Sequence, residues 1–291
     1  MRRLRRIGTR ELDLELPTAR GVTLRILERP GLWMDPEERA GLLGELRAVA
    51  LRGTGGAPLK YGILSGEKAR WDRAILTIIR DDRTDRVVGF NAMSLLDVRV
   101  GGRTEEVLHL GLLVLDPRFR GRGFSRLVYG LSVALLLLRR GGRSFWVSSV
   151  SQVPAIVGMV ARSLDAAYPG GAPRPTGAHR DVARQIMARH RAVFGVAEDA
   201  GFDPERFVIT DAYTGGSDSL KKSFVDAPKH RDPDVNELCL RELDYARGDD
   251  FLQVARLTPR IAWGCLRAFL VGSSVLAPVL GRAPALAGRR M

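Results

Sequence analysis

Residues 73–140 set the tightest limit on the fold. RAILTIIRDD (73–82), RVVGFNAMSLLDVRV (86–100) and EEVLHLGLLVLDP (105–117) are three successive apolar, β-branched segments, which is the composition of strands buried in a sheet. Gly101 and Gly102 join the last two as a hairpin turn would. FSRLVYGLSVALLLLRR (124–140) comes next and is apolar around almost its whole circumference, so a helix there must be covered on most of its surface. The spacing therefore predicts three antiparallel strands followed by a deeply packed helix.

The flanks extend the pattern. GVTLRIL (21–27) reads as an earlier strand, and DPEERAGLLGELRAVALRG (35–53) as a helix capped by Asp35, with leucines at helical spacing. SFWVSSV (144–150) is a further strand, and VPAIVGMVARSLDAAY (153–168) a further helix with Pro154 suited to its first turn. The order is strand, helix, three antiparallel strands, helix, strand, helix.

At 291 residues and 45% apolar, the chain can bury a sizeable core in one or two domains. Its formal charge of +13 is concentrated at the ends. Five arginines and no acid lie in residues 1–10, and six arginines and no acid in residues 256–291, which leaves +2 for everything between. A fold that binds nucleic acid carries its basic stripe on the folded part, so no nucleic-acid partner is expected. Cys239 and Cys265 match no metal or redox spacing, which fits a reducing, cytoplasmic setting. Residues 1–20 read as a basic arm without the apolar segment of an export signal. The tail, residues 259–291, mixes arginines with apolar residues, but its longest uncharged run, Ala268–Gly281, is interrupted by Pro278. That run is shorter than the roughly 20 residues a membrane-spanning helix needs. Two roles for the tail stay open: a helix packed on the domain or on a second subunit of a homodimer, and a peripheral contact with a membrane surface.

VLDPRFRGRGFS (114–125) places three arginines and two glycines between a strand and a helix. Such a junction delivers several backbone N–H groups to one point at a helix start, and glycines let a ligand approach the backbone closely. Arg118, Arg120 and Arg122 add charge that a pyrophosphate could use. The loop lacks the Lys-Ser or Lys-Thr pair of a P-loop, and the third glycine and later acid of a dinucleotide fold. What remains is Arg-x-x-Gly-x-Gly at Arg118, Gly121 and Gly123, preceded by VLDP and followed by an apolar helix. This pattern, with the element order over Val22 to Tyr168, resembles the coenzyme A loop of the GNAT superfamily of N-acetyltransferases.

The resemblance implies an α+β fold: a mixed, mostly antiparallel sheet flanked by helices, whose fourth and fifth strands splay apart to admit the pantetheine arm. It implies acetyl-CoA or another acyl-CoA as co-substrate and a small-molecule or peptide amine as acceptor. Leu113, Val114 and Leu115 would bond the pantetheine and acyl carbonyl through their backbone. The pyrophosphate would lie over Arg118, Arg120, Gly121, Arg122, Gly123, Phe124 and Ser125. The tyrosine that many members use to protonate the leaving thiolate falls here on Gly158 or Met159, which leaves Tyr168 and Tyr129 as the nearby phenols. His109, with an ordinary pKa near 6.5, is the candidate base ahead of Glu105 and Glu106, and its alternative reading is a hydrogen-bonded structural histidine on a half-buried strand. His179, His190 and His230 have no metal-ligand spacing, so no metal is implied.

After Tyr168 the pattern is lost. Residues 21–168 read as the acyltransferase-like core, 169–235 as an insertion on the acceptor side, and 236–258 as the closing region; the final strands read as RFVITDAY (206–213) and either ELCLREL (237–243) or DFLQVARL (250–257). RDVARQIMARHRAVFG (180–195) reads as a helix within the insertion. The expected activity is N-acyl transfer from CoA to an amine. Transfer of a longer acyl chain from acyl-CoA or an acyl carrier protein at a membrane surface, and a non-catalytic CoA-binding or scaffold protein, are the alternatives.

Overall fold

The computed structural model describes residues 3–7, 11–18 and 20–261. Residues 1, 2, 8–10 and 19 of the basic arm and the tail from residue 262 lie outside the described residues. The strands are β1 (Arg3–Ile7), β2 (Leu12–Pro17), β3 (Val22–Glu28), β4 (Ala74–Asp81), β5 (Val87–Val100), β6 (Arg103–Leu115), β7 (Phe145–Ser151), β8 (Asp165–Tyr168), β9 (Gly201–Asp203), β10 (Val208–Thr210) and β11 (Asp250–Leu257). The helices are α1 (Pro36–Gly53), α2 (Lys68–Trp71), α3 (Phe124–Arg139), α4 (Pro154–Ser163), α5 (Gly177–Arg189) and α6 (Pro233–Glu242). One sheet runs β1-β2-β3-β4-β5-β6-β7-β11-β10-β9, with β8 also paired to β11. Among these pairs only β6 and β7 are parallel.

Alternation along β5 sorts the helices between the two faces. Phe90 and Ala92 pack with Leu42, Leu46 and Val49 of α1, and Leu96 and Val98 pack with Val182 and Ile186 of α5, so α1 and α5 share a face. Met93 and Leu95 point the other way, onto Val133, Leu136 and Leu137 of α3. That side also carries α4 and α6, whose Val157, Val235 and Cys239 cover Phe251. The apolar helix at 124–139 is buried along its sheet-facing length, as its composition requires, while Leu138 remains 64% exposed. At α1, the Asp35 carboxylate accepts the N–H groups of Glu37 at 2.8 Å and Glu38 at 3.4 Å, a cap worth about 1 kcal/mol.

Three expectations are corrected. Much of the arm is sheet: Leu12, Leu14 and Leu16 alternate with Asp13 and Glu15, and β2 pairs with β3 from Leu12↔Glu28 to Pro17↔Thr23. The buried Asp13 is held by the Arg25 guanidinium at 2.7 Å, so charge on this segment does not mark it as solvated. The helix read over 153–168 stops at Ser163, and β8 takes its last residues onto the edge of β11. ELCLREL lies in α6, started by the Asp232 cap and Pro233, with Cys239 turned into the core. The closing strands are therefore β10, within RFVITDAY, and β11, in DFLQVARL, which is one of the two pairings read from the sequence, although β10 falls inside the range 169–235 read as insertion.

Candidate functional site

The parallel pairing of β6 and β7 covers only Leu108↔Val147, His109↔Ser148 and Leu110↔Ser149. Beyond that point β6 continues to Leu115 along β5, and β7 continues to Ser151 along β11, so the two strands part. A bulge drives the separation. Ala92 faces Leu112 but Ser94 faces His109, which leaves one extra residue in β6 at the point of divergence. A β-bulge bends its strand and raises its twist. Gly111 sits there, and a Cβ on it would lie 2.1 Å from the Ala92 carbonyl oxygen.

The loop 116–123 closes the top of this gap. Gly121 (φ 73°) and Gly123 (φ 74°) are both left-handed, and nothing stands within 4 Å of where a Gly121 Cβ would be. No side chain caps α3, whose N-cap is Gly123. Its first-turn N–H groups and the positive end of its dipole therefore address whatever lies over the loop.

The arginines brace the loop. Asp116, 2% exposed, accepts from the Arg118 backbone N–H at 3.1 Å, from Arg118 Nε at 3.0 Å and from Arg52 Nε at 3.2 Å. Arg118 foremost, with Arg52, holds the Asp116 pKa down to about 2. Arg120 donates to the Gly53 carbonyl at 2.6 Å, tying the loop to the end of α1. Arg122 lies over the Phe119 ring at 5.0 Å, and its carbonyl accepts from Arg20 Nη1 at 2.7 Å. Arg20, in the turn before β3, thus ties the loop from outside it, and sequence reasoning missed it because the contact spans a long stretch of chain. The positive charge is where the sequence put it, but much of its hydrogen bonding is internal, and the donors facing outward include the uncapped backbone.

His109 does not sit as a base titrating near neutrality would. It is 2% exposed, its Nδ1 is 3.0 Å from Ser148 Oγ, and its ring stacks on Phe194 at 4.7 Å. Burial, with a smaller push from His190, takes its pKa down to about 3. The side chain is neutral and closed off. Tyr168 is also displaced from the expected role. β8 pairs with the far strand β11, and the Tyr168 hydroxyl donates to the Glu205 carbonyl at 2.8 Å while its ring meets Phe207 edge-on. It lines a separate cleft of about 450 Å³ with Gly170, Arg206 and Arg241. At the position expected for the family tyrosine, a Cβ on Gly158 would lie 2.5 Å from the His230 ring, and Met159 is 40% exposed.

The second phenol expected from the sequence, Tyr129, stands at the gap. Tyr129 of α3 donates its hydroxyl to the Gly111 carbonyl at 3.1 Å, directly on the bulge. Tyr61, from the connection between α1 and α2, packs with Leu112 and Leu220 against the cluster over α1, and its ring edges against Gly195. Burial foremost, then Asp250 and then Tyr129, pushes the Tyr61 hydroxyl pKa up. Tyr213 Oη is 3.0 Å from Asp250 Oδ1. The Gln152 amide, oriented so that its hydrogen bonds are satisfied, accepts from the Tyr213 hydroxyl at 2.5 Å and exchanges two bonds with the Lys222 backbone. Burial drives the Asp250 pKa well above the usual carboxylate range, Asp249 adding to the shift and Tyr213 opposing it. No local signal marks Asp250, whose partner Tyr213 comes from a different loop.

Among the described residues, no group of His, Cys, Asp and Glu side chains could hold a metal ion, and no helix is long and apolar enough to cross a membrane. No protein-family profile matches the chain, and no curated protein sequence does. Solved structures are similar in part. One from Desulfovibrio desulfuricans, described as an acetyltransferase of the GNAT family, is 13% identical over 82% of this chain and 99% of that chain, with a TM-score of 0.31. An acetyltransferase from Trypanosoma brucei is 15% identical over 40% of this chain and 76% of that chain, with a TM-score of 0.27. The toxin AtaT, bound to the C-terminus of the antitoxin AtaR and acetyl-CoA, is 16% identical over 44% of this chain and 75% of that chain, with a TM-score of 0.27.

Proposed function

We propose that the chain is an acyl-CoA-dependent N-acyltransferase, the activity that the GNAT resemblance of its loop implies. The observation that carries this reading is the gap between β6 and β7, opened by a bulge at Gly111 and roofed by a glycine loop at an uncapped helix start. A long, thin ligand with an anionic head suits that shape. The backbone N–H groups from Gly121 to Ser125 would hold a pyrophosphate, within the field of Arg118, Arg120 and Arg122. The β7-facing edge of β6 at Leu113, Val114 and Leu115 would pair with the amide-bearing arm, as a strand edge pairs with any extended chain. Acyl-CoA, when bound, supplies a thioester as the acyl donor. Donors fixed on the bulge would stabilise the developing oxyanion without reorganising during the reaction. The acceptor would be an amine, either a small molecule or a peptide.

The test uses Ser125→Glu. Ser125 is exposed in the first turn of α3, where a carboxylate suits the helix dipole but repels a pyrophosphate. The variant should keep or raise the melting temperature and bind CoA at least tenfold more weakly by calorimetry. Gly121→Glu and Gly123→Glu should also lose binding. Unchanged CoA affinity in folded Ser125→Glu overturns this site, and wild-type protein that neither binds CoA nor turns over acetyl-CoA overturns the function.

A further inference from the structure

Asp250 opens β11, and its neighbour Phe251 pairs with Ser151 at the end of β7. It therefore lies at the same end of the sheet at which β6 and β7 part. Its carboxyl is buried, with 3% of the residue exposed, whereas Tyr213, in hydrogen-bond contact with it, is half-buried and reaches the surface. Tyr61, also half-buried, stands nearby on the same face of the sheet. Asp250 is thus one side-chain layer below solvent, in contact with the Tyr213 phenol and within electrostatic reach of the Tyr61 hydroxyl.

The hydrogen bonds fix its protonation. Tyr213 has one hydroxyl proton and two oxygen neighbours, Gln152 Oε1 at 2.5 Å and Asp250 Oδ1 at 3.0 Å. The Gln152 oxygen and an ionised Asp250 carboxylate can both only accept, so the single phenol proton cannot serve both contacts, and both are satisfied together only when the Asp250 carboxyl carries a proton of its own. The surroundings agree. Asp249 is held by Arg247 through two bonds of 2.7 Å, and Tyr245 is bonded to the Gln152 carbonyl. Among the described residues, no Lys, Arg or His forms an ion pair with Asp250. A buried carboxyl without a cation holds a proton or acquires a cation from outside.

We propose that Asp250, beside Tyr213, receives the acceptor's amino group and takes its proton, so that the acceptor is a primary amine docked as an ammonium. This rests on the acyltransferase reading. As the ammonium arrives, Asp250 gives its resting proton to water, and the ammonium then sits beside the ionised carboxyl and the Tyr213 ring, whose face attracts cations. One N–H proton passes to Asp250, leaving a neutral amine. The nitrogen lone pair forms the C–N bond at the thioester carbon, and the C–S bond breaks with its electron pair going to sulfur. The second N–H proton neutralises the thiolate, and Asp250 ends the cycle protonated, as it began. Tyr213 and Gln152 position the carboxyl.

Difference infrared spectroscopy tests this without CoA, using n-butylammonium chloride as the probe and choline chloride as the salt control. At pH 7 the wild-type protein should show a protonated-carboxyl band that is absent from Asp250→Asn. n-Butylammonium, and not choline, should convert it to carboxylate. With acetyl-CoA and n-butylamine, the rate should rise with pH through one ionisation in the wild type. Asp250→Asn should lose that limb and at least 100-fold in turnover while its calorimetric CoA affinity is unchanged. Tyr213→Phe should keep the fold and shift the limb. If the band is missing, if it is indifferent to the probe, or if Asp250→Asn keeps the limb with CoA still bound, the proposal is overturned. Loss of CoA binding by the wild type sinks the acyltransferase reading itself.

Discussion

Asp116→Asn isolates the hinge on which the loop turns. The carboxylate ties the end of β6 to Arg118 through backbone and side chain, and to Arg52 of α1. Its pKa of about 2 lies below the ordinary 3.8, a difference that corresponds to at most about 2.4 kcal/mol at 1.36 kcal/mol per unit. Arg118 is 75% exposed, so solvent screening reduces this to roughly 1–2 kcal/mol. Because the folded pKa is depressed, the contribution is complete above about pH 5. It is lost as the pH falls through 3.8 towards 2. Asparagine keeps the shape and one acceptor but does not titrate. Urea unfolding at pH 6 should therefore place Asp116→Asn roughly 1–2 kcal/mol below the wild type, and the gap should close as the pH approaches 2. CoA affinity at pH 7 should fall with it, because the loop is no longer held. A gap that persists unchanged at low pH, or no gap at pH 6, refutes the ion-pair account of the loop.

Three further outcomes follow from the same geometry. His109 is folded with a pKa of about 3 against an ordinary 6.5, so the unfolded state takes up its proton first, and wild-type stability should fall by up to about 1.4 kcal/mol per pH unit below pH 6. His109→Gln should flatten that slope in urea titrations while leaving the pH–rate limb in place; loss of the limb would return His109 to the mechanism. Gly111→Ala meets the Ala92 carbonyl at 2.1 Å and should cost about 1–3 kcal/mol or more and weaken CoA binding, whereas wild-type values for both would mean that the bulge does not set the gap. Arg25→Met leaves the buried Asp13 unpaired and should cost about 3 kcal/mol in thermal or urea unfolding, and a change under 1 kcal/mol would show that β2 is not firmly part of the sheet.

What the sequence made legible was local. The strand, glycine loop and apolar helix of residues 103–139 follow from periodicity and from the conformations glycine alone adopts freely, and they stand where the spacing put them. The loop's own ties also lie close in the chain, as with Asp116 and Arg118. Long-range contacts hid the rest. His109 looked poised for chemistry because nothing in its strand shows that Phe194 will stack on it. The arginines looked free because Gly53 and Leu115 carbonyls, which hold Arg120, carry no mark in the sequence. Asp250 was hidden in an apolar strand. Its environment comes from Tyr213 and Gln152, on separate connections that only the folded sheet brings together. Net charge misled at the N-terminus, where a strand alternation of leucine with acids lay beneath it.

Backbone hydrogen exchange with and without CoA tests the central claim most directly, because it reads the amides that the site would use. On adding CoA, protection should rise at Phe124, Ser125 and the neighbouring amides of the first turn of α3, and along β6 at Leu113, Val114 and Leu115, while the cleft around Tyr168, Gly170 and Arg206 stays unchanged. Protection confined to that cleft, or absent from both α3 and β6, would contradict a CoA site in the gap between β6 and β7.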